Sequence, residues 1–167
     1  LIQRYLRTDM LTPFMKSVTF LGNGGWFWIL CAVVLLAVPK TRKTGYAAAL
    51  SLIFGAIVTN LLLKNIVARP RPFAEIEALI PMITKPKDFS FPSGHTTASF
   101  AVALVMLRML PKKIGIPAVV LAALVAFSRL YLGVHYPTDV LAGFVVALVG
   151  SSLAVWGVRT KLGNIKR

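Results

Sequence analysis

The sequence predicts an all-α fold, a polytopic transmembrane helical bundle, and three observations predict it. Of 167 residues, 57% are hydrophobic and only 14% are charged. Mean hydropathy is +0.76. The apolar residues also come in long blocks, which a bilayer requires and a water-soluble core of this size rarely produces. A soluble domain carrying them would expose large greasy patches. One membrane-embedded domain over residues 1–167 accounts for the chain.

Five blocks qualify as spans, because 17 to 24 helical residues at about 1.5 Å each cross a hydrocarbon layer of about 30 Å. The first runs from Val18 or Gly24 to Val38, interrupted by Gly22, Gly24 and Gly25 and stopped by Pro39. The others run from Thr44 to Val67, Gly94 to Leu110, Ile114 to Leu132 and Thr138 to Val158. Ala142, Gly143, Ala147, Gly150 and Ser151 read as positions where helices approach closely.

The connections set the topology. Pro39 to Lys43, Arg108 to Lys113, and the tail with Arg159, Lys161, Lys166 and Arg167 are basic. If all five blocks cross, these regions share one side, which the positive-inside rule makes cytoplasmic. The acidic residues Asp9, Glu75, Glu77, Asp88 and Asp139 then fall on or near the other side. The N-terminus is outside in this arrangement, and no signal-peptide pattern precedes the first block. The expectation is therefore a further span upstream of Leu1, six in the native protein, with Leu1 to Phe20 as an extracytoplasmic connector containing an interfacial helix. The formal charge of +14 does not imply nucleic acid, since the cations sit between apolar blocks rather than along one face. The single cysteine, Cys31, allows no internal disulfide and reads as a buried inert thiol.

Three stretches meet at the outer side. Lys64, Arg69, Arg71, Lys85 and Lys87 lie in or beside the external loop, and Arg129 ends the fourth block. Cations on the side that positive-inside logic disfavours call for a shared anion, or else snorkel and meet Glu75 and Glu77. Ser93-Gly94-His95 opens the third block, so its free backbone N–H groups form an anion site that Gly94 leaves open. Ser93 either caps that helix or donates to a phosphate oxygen. His95 stands within the first turn, where it either supplies a proton to a leaving oxygen or is an interfacial histidine. His135 and Asp139 are four residues apart where Pro137 starts the fifth block. Asp139 either orients the imidazole or is an acid favoured by the helix dipole. Lys64, Arg71 and Arg129 suit the equatorial oxygens of a transferring phosphoryl group. No carboxylate cluster suits Mg²⁺, and two histidines alone make a poor zinc site, so the expectation is chemistry without metal or cofactor.

These residues are arranged as K-x6-R-P (Lys64 to Arg71-Pro72), P-S-G-H (Pro92 to His95) and S-R-x5-H-x3-D (Ser128-Arg129 to His135 to Asp139). The chain thereby resembles the type 2 phosphatidic acid phosphatase superfamily; of the doubled Arg69-Pro70-Arg71-Pro72, the spacing from Lys64 selects Arg71. The resemblance implies a two-step hydrolysis in which His135 attacks phosphorus and forms a phosphohistidine, oriented by Asp139. His95 protonates the leaving alkoxide and then activates water. Lys64, Arg71, Ser93, Gly94 and Arg129 hold the phosphate. Within the superfamily, the short external loop resembles the phosphatidylglycerophosphatase B type. That implies phosphatidylglycerol phosphate as substrate, with undecaprenyl diphosphate as the alternative, a plasma-membrane location and an extracytoplasmic site. Two other readings remain: a carrier of anionic lipid or phosphate that needs no nucleophile, and a vanadate haloperoxidase, which the lipid-facing spans disfavour. Phe73, Phe89, Phe91, Tyr131 and Tyr136 lie near the outer interface and either shape the lipid entry or, the stronger reading, anchor at the interface, as Trp26 and Trp28 do.

Overall fold

The computed structural model describes residues 5–163, which are helical and contain no strand. Helix α1 (Leu11–Phe20) leads through a short 3-10 turn (Asn23–Gly25) into α2 (Trp26–Ala37). Helix α3 (Arg42–Ala56) continues as a π-helical segment (Ile57–Leu63) into α4 (Lys64–Val67). A short α5 (Pro72–Glu75) precedes the long connection to α6 (Gly94–Met109), α7 (Lys112–Tyr131) and α8 (Pro137–Gly163). Each apolar block of the sequence thus becomes a helix, but their lengths differ from expectation. Among the described residues, three runs are long and apolar enough to cross a membrane: Arg42–Glu75, Lys112–Tyr131 and Pro137–Lys161. The first block is not one straight span. Gly24 and Gly25 adopt left-handed backbone at φ 58° and 71°, which breaks the helix and leaves α1 and α2 bent by 43°; together the pair is long and apolar enough for a broken span or a re-entrant loop. Helix α6 has 16 residues, about 24 Å. It occupies the centre, packed on α3, α7 and α8, so its length is matched to protein rather than to lipid.

The interior is made of small side chains. Ala47, Ala48, Ala101, Ala103 and Ala122 are fully buried, whereas Ile29, Val33, Leu50, Ile53, Val120 and Leu153 face outward. Lipid gives large apolar groups no reason to turn inward, so close backbone approach and buried hydroxyl contacts hold the helices instead. Thr59 in the π segment bonds Thr97 of α6 at 3.0 Å, and Arg108 of α6 donates to Ser151 of α8 at 2.6 Å. Gly143 lets α8 approach the start of α6: a Cβ there would lie 2.8 Å from the Ser93 carbonyl oxygen. Cys31 is half-buried beside the core rather than enclosed in it.

These contacts gather one end of every helix pair. Gly94 at the start of α6 lies beside the Lys64 ammonium, and the Ser93 N–H donates to the Asp139 carbonyl at 3.0 Å. Arg159 in α8 reaches the Arg108 carbonyl at the other end of α6. The basic connections 39–43 and 110–113 are at that second end, opposite His135 and His95. Two aromatic residues expected as interfacial anchors are interior instead: Trp28 is 1% exposed and Tyr131 is 0%. The Tyr131 hydroxyl accepts from the Thr8 N–H and bonds Thr12, fastening the N-terminal segment to α7.

Candidate active site

The first signature stretch is bent into place by its backbone. The π turn shifts the register at the end of α3, a device frequent near functional sites, and α4 then carries Lys64 to the end of the bundle. Ala68 stops the helix at φ 45°, an uncommon conformation for a residue with a Cβ. Pro70 and Pro72 flank an extended Arg71, which reaches the Nε2 edge of the His135 imidazole, while Arg69 reaches the Asp139 carboxylate.

His135 sits in the short connection between α7 and α8, which Gly133 turns at φ 76°. Its Nδ1 faces Asp139 Oδ2 at 3.4 Å, and its Nε2 faces Arg71 Nη1 at 3.3 Å. With the proton on Nδ1, Nε2 presents its lone pair to the cleft. Asp139 is fully buried and accepts from Arg69 Nη1 at 2.9 Å, Ser90 Oγ at 2.5 Å and the Tyr136 N–H at 2.9 Å. Those donors hold the carboxylate ionised in a dry setting. Arg69 also lies 3.8 Å over the Tyr136 ring. Burial lowers His135 to about 4, helped by Arg129 and Arg71 and opposed by the hydrogen bond to Asp139. The imidazole is therefore neutral at ordinary pH, the form a nucleophile needs.

The predicted cations converge. Lys64, Arg71, Gly94, His95, Arg129 and His135 all line one open cleft of about 870 Å³. Arg71 is anchored through Nε on the Asp88 carbonyl and through Nη1 on the Val134 carbonyl. Arg129 is 2% exposed and donates to Thr19 Oγ1 of α1 at 2.6 Å, while its Nε has no partner among the described residues. A buried guanidinium with a spare donor and no carboxylate within ion-pair distance among the described residues is a site that expects an anion. Ser93 resolves toward the cap: its Oγ accepts from the Thr96 N–H and hydroxyl, and its side chain does not line the cleft. His95 Nε2 meets Asn23 Oδ1 at 3.0 Å.

Sequence reasoning missed Thr19, Asn23 and Ser90 here, and it counted Arg69 among the outer cations and Asp88 among the outer acids without finding their partners. Arg69 and Ser90 sit beside signature residues and could have been found by asking what neutralises a buried Asp139. Thr19, Asn23 and Asp88 arrive from distant chain segments, and only the tertiary arrangement exposes them. Nor do Glu75 and Glu77 meet the misplaced cations. Asp88 does, pairing with Lys64 and with Arg71 at 2.7 Å. Burial pushes the Asp88 carboxyl up, but the bonds and charges of Lys64 and Arg71 outweigh it and hold it at about 2. If those two cations hold phosphate, the Asp88 carboxylate competes with it for them. Asp88→Asn is accordingly expected to lower the inhibition constant for inorganic phosphate by about fivefold, since a half-exposed ion pair contributes up to about 1 kcal/mol. An unchanged constant would show that carboxylate and phosphate do not compete for one place.

The comparisons with known proteins agree with this geometry. The profile of the PAP2 superfamily matches residues 44–162. The undecaprenyl-diphosphatase of Sulfolobus acidocaldarius is 35% identical over 153 residues, covering 90% of this chain and 72% of that protein. The phosphatidylglycerophosphatase B of Bacillus subtilis is 35% identical over 156 residues, covering 86% and 73%. The crystal structure of a transmembrane PAP2-type phosphatidylglycerolphosphate phosphatase from Bacillus subtilis superposes with a TM-score of 0.73 at 30% identity, over 99% of this chain and 85% of that one. Apolar helices, a cleft of convergent cations around a histidine held by a carboxylate, and these likenesses lead to one assignment: the chain belongs to the PAP2 superfamily, as a multi-pass membrane phosphatase of lipid phosphates.

Proposed function

We propose that this phosphatase hydrolyses the phosphomonoester of phosphatidylglycerol phosphate through a phosphohistidine, on the extracytoplasmic side of the cell membrane. The observation that carries the mechanism is His135, with Nδ1 toward Asp139 and Nε2 toward the cleft beside Arg71. The Nε2 lone pair forms a bond to phosphorus as the bond to the lipid oxygen breaks, and His95 gives that oxygen its proton. Water then loses a proton to His95 and attacks phosphorus, the P–N bond breaks, and inorganic phosphate leaves with His135 restored. Lys64, Arg71, Arg129 and the Gly94 N–H neutralise charge on the oxygens in flight, and Ser93 fixes the helix end that presents Gly94. The side of the membrane rests on the basic connections at the opposite end of the bundle, which the positive-inside rule makes cytoplasmic.

Undecaprenyl diphosphate is the second reading, because a relative of equal identity carries that name. The residues of the cleft grip phosphate and are common to both substrates. Phosphate release from each lipid in detergent, with EDTA present, tests the choice. Faster turnover of phosphatidylglycerol phosphate is expected. Strong turnover of the diphosphate alone would replace the substrate, and loss of all activity in EDTA would replace the metal-free mechanism.

A further inference from the structure

The turn between α1 and α2 lies outside the matched family region, which begins at residue 44, and yet it touches His95. It is a built turn. The Gly25 N–H donates to the Gly22 carbonyl at 3.0 Å, and Trp26 Nε1 reaches back to the Phe20 carbonyl at 2.9 Å. Gly24 and Gly25 take left-handed backbone within it. One edge of the His95 imidazole rests on this turn. A Cβ on Gly22 would lie 2.5 Å from His95 Cδ2, so the ring occupies the space a side chain would need. Next along the same edge, Nε2 is 3.0 Å from Asn23 Oδ1. An amide oxygen only accepts, so this contact places a hydrogen on Nε2. The opposite nitrogen, Nδ1, makes no hydrogen bond among the described residues.

We propose that Asn23 is a positioning residue for His95, and that the turn holds Nε2–H so that Nδ1 is the nitrogen that exchanges a proton with the leaving oxygen. The inference rests on the acid role given to His95 above and deepens it. When His95 is charged, Nε2–H still donates to Asn23 Oδ1 and Nδ1–H is the proton delivered as the bond from phosphorus to oxygen breaks. When water attacks in the second step, Nδ1 takes a proton back. Asn23 keeps the ring from turning over and touches neither phosphorus nor the leaving group.

The test compares two esters by kcat/KM, which ends at formation of the phosphoenzyme. One is the natural alkyl lipid phosphate, whose alkoxide needs a proton to leave. The other is p-nitrophenyl phosphate, whose phenolate leaves without one. Asn23→Ala is expected to lower kcat/KM for the alkyl ester by about tenfold to a hundredfold, within the range that general acid catalysis supplies. The aryl ester is expected to change by no more than about twofold. Asn23→Asp retains an accepting oxygen and is expected to restore most of the alkyl activity. An equal loss on both esters, or no loss on either, would overturn the positioning role and leave a turn that only joins two helices. His95→Ala separates the two levels of argument. If it spares the alkyl ester, the acid role itself falls. If it loses the alkyl ester selectively while Asn23→Ala does not, only the assignment of Asn23 falls.

Discussion

Replacing His135 by alanine is expected to reduce phosphate release by at least about 10⁴-fold while leaving lipid phosphate bound, because it removes the attacking atom and none of the cations. Lys64, Arg71 and Arg129 remain in place around the cleft. Arg71 loses one weak contact to Nε2 but keeps its bonds to the Val134 and Asp88 carbonyls. Binding of the lipid and of inorganic phosphate should therefore change little, and the loss should fall on kcat. The pH profile gives an independent check. Burial places His135 at about 4, so its neutral, nucleophilic form prevails above that pH and is lost as pH falls through it. The acid limb of kcat/KM is expected near pH 4, well below the limb near 6.5 of an unperturbed imidazole. A variant that still turns over lipid at the parent rate would remove the phosphohistidine. A parent that binds lipid phosphate and releases none would support the carrier reading instead.

Much of this was legible in the sequence because membrane folding leaves few options. Long apolar blocks must become helices, and basic connections must share a side, so the ends that carry Lys64, Gly94, Arg129 and His135 could be placed together before any coordinates. Spacing sufficed to choose Arg71 over Arg69 for the cleft, and the structure finds Arg69 on Asp139 instead. The length of each span was less legible. The glycines at 22, 24 and 25 interrupt the first block in the sequence but do not announce its bend, where Gly24 and Gly25 take positive φ and His95 seats against Gly22. Composition cannot report that contact. The same holds for Tyr131 and Trp28, whose amphipathic rings suit an interface equally well and are interior because neighbouring helices cover them. The roles of Asp88 and Asn23 were invisible for another reason: Asp88 meets Lys64 24 positions away and Asn23 meets His95 72 positions away, through contacts that no periodicity encodes.

Arg129 separates function from stability most cleanly. Its guanidinium is buried with one hydrogen bond to Thr19, an unpartnered Nε and no carboxylate within ion-pair distance among the described residues. A purely structural arginine in such a place would be expected to have its donors matched, since burying an uncompensated charge costs several kcal/mol. If the missing partner is the phosphate in flight, removing the charge relieves the empty protein and cripples the reaction. Arg129→Met, of similar length and apolar, is expected to lower kcat by about 10² to 10³-fold, the loss typical of one preorganised donor to a developing oxyanion. The same variant is expected to melt no lower than the parent and up to a few degrees higher, at about 2–4 °C per kcal/mol for a chain of this size. Orthovanadate, which mimics the phosphoryl group in transfer, should raise the melting temperature of the parent by mass action and that of the variant much less. Kinetics and melting in one detergent measure both. A variant that melts well below the parent would make Arg129 a structural tie between α7 and α1. A variant that is stable and fully active would remove it from the site.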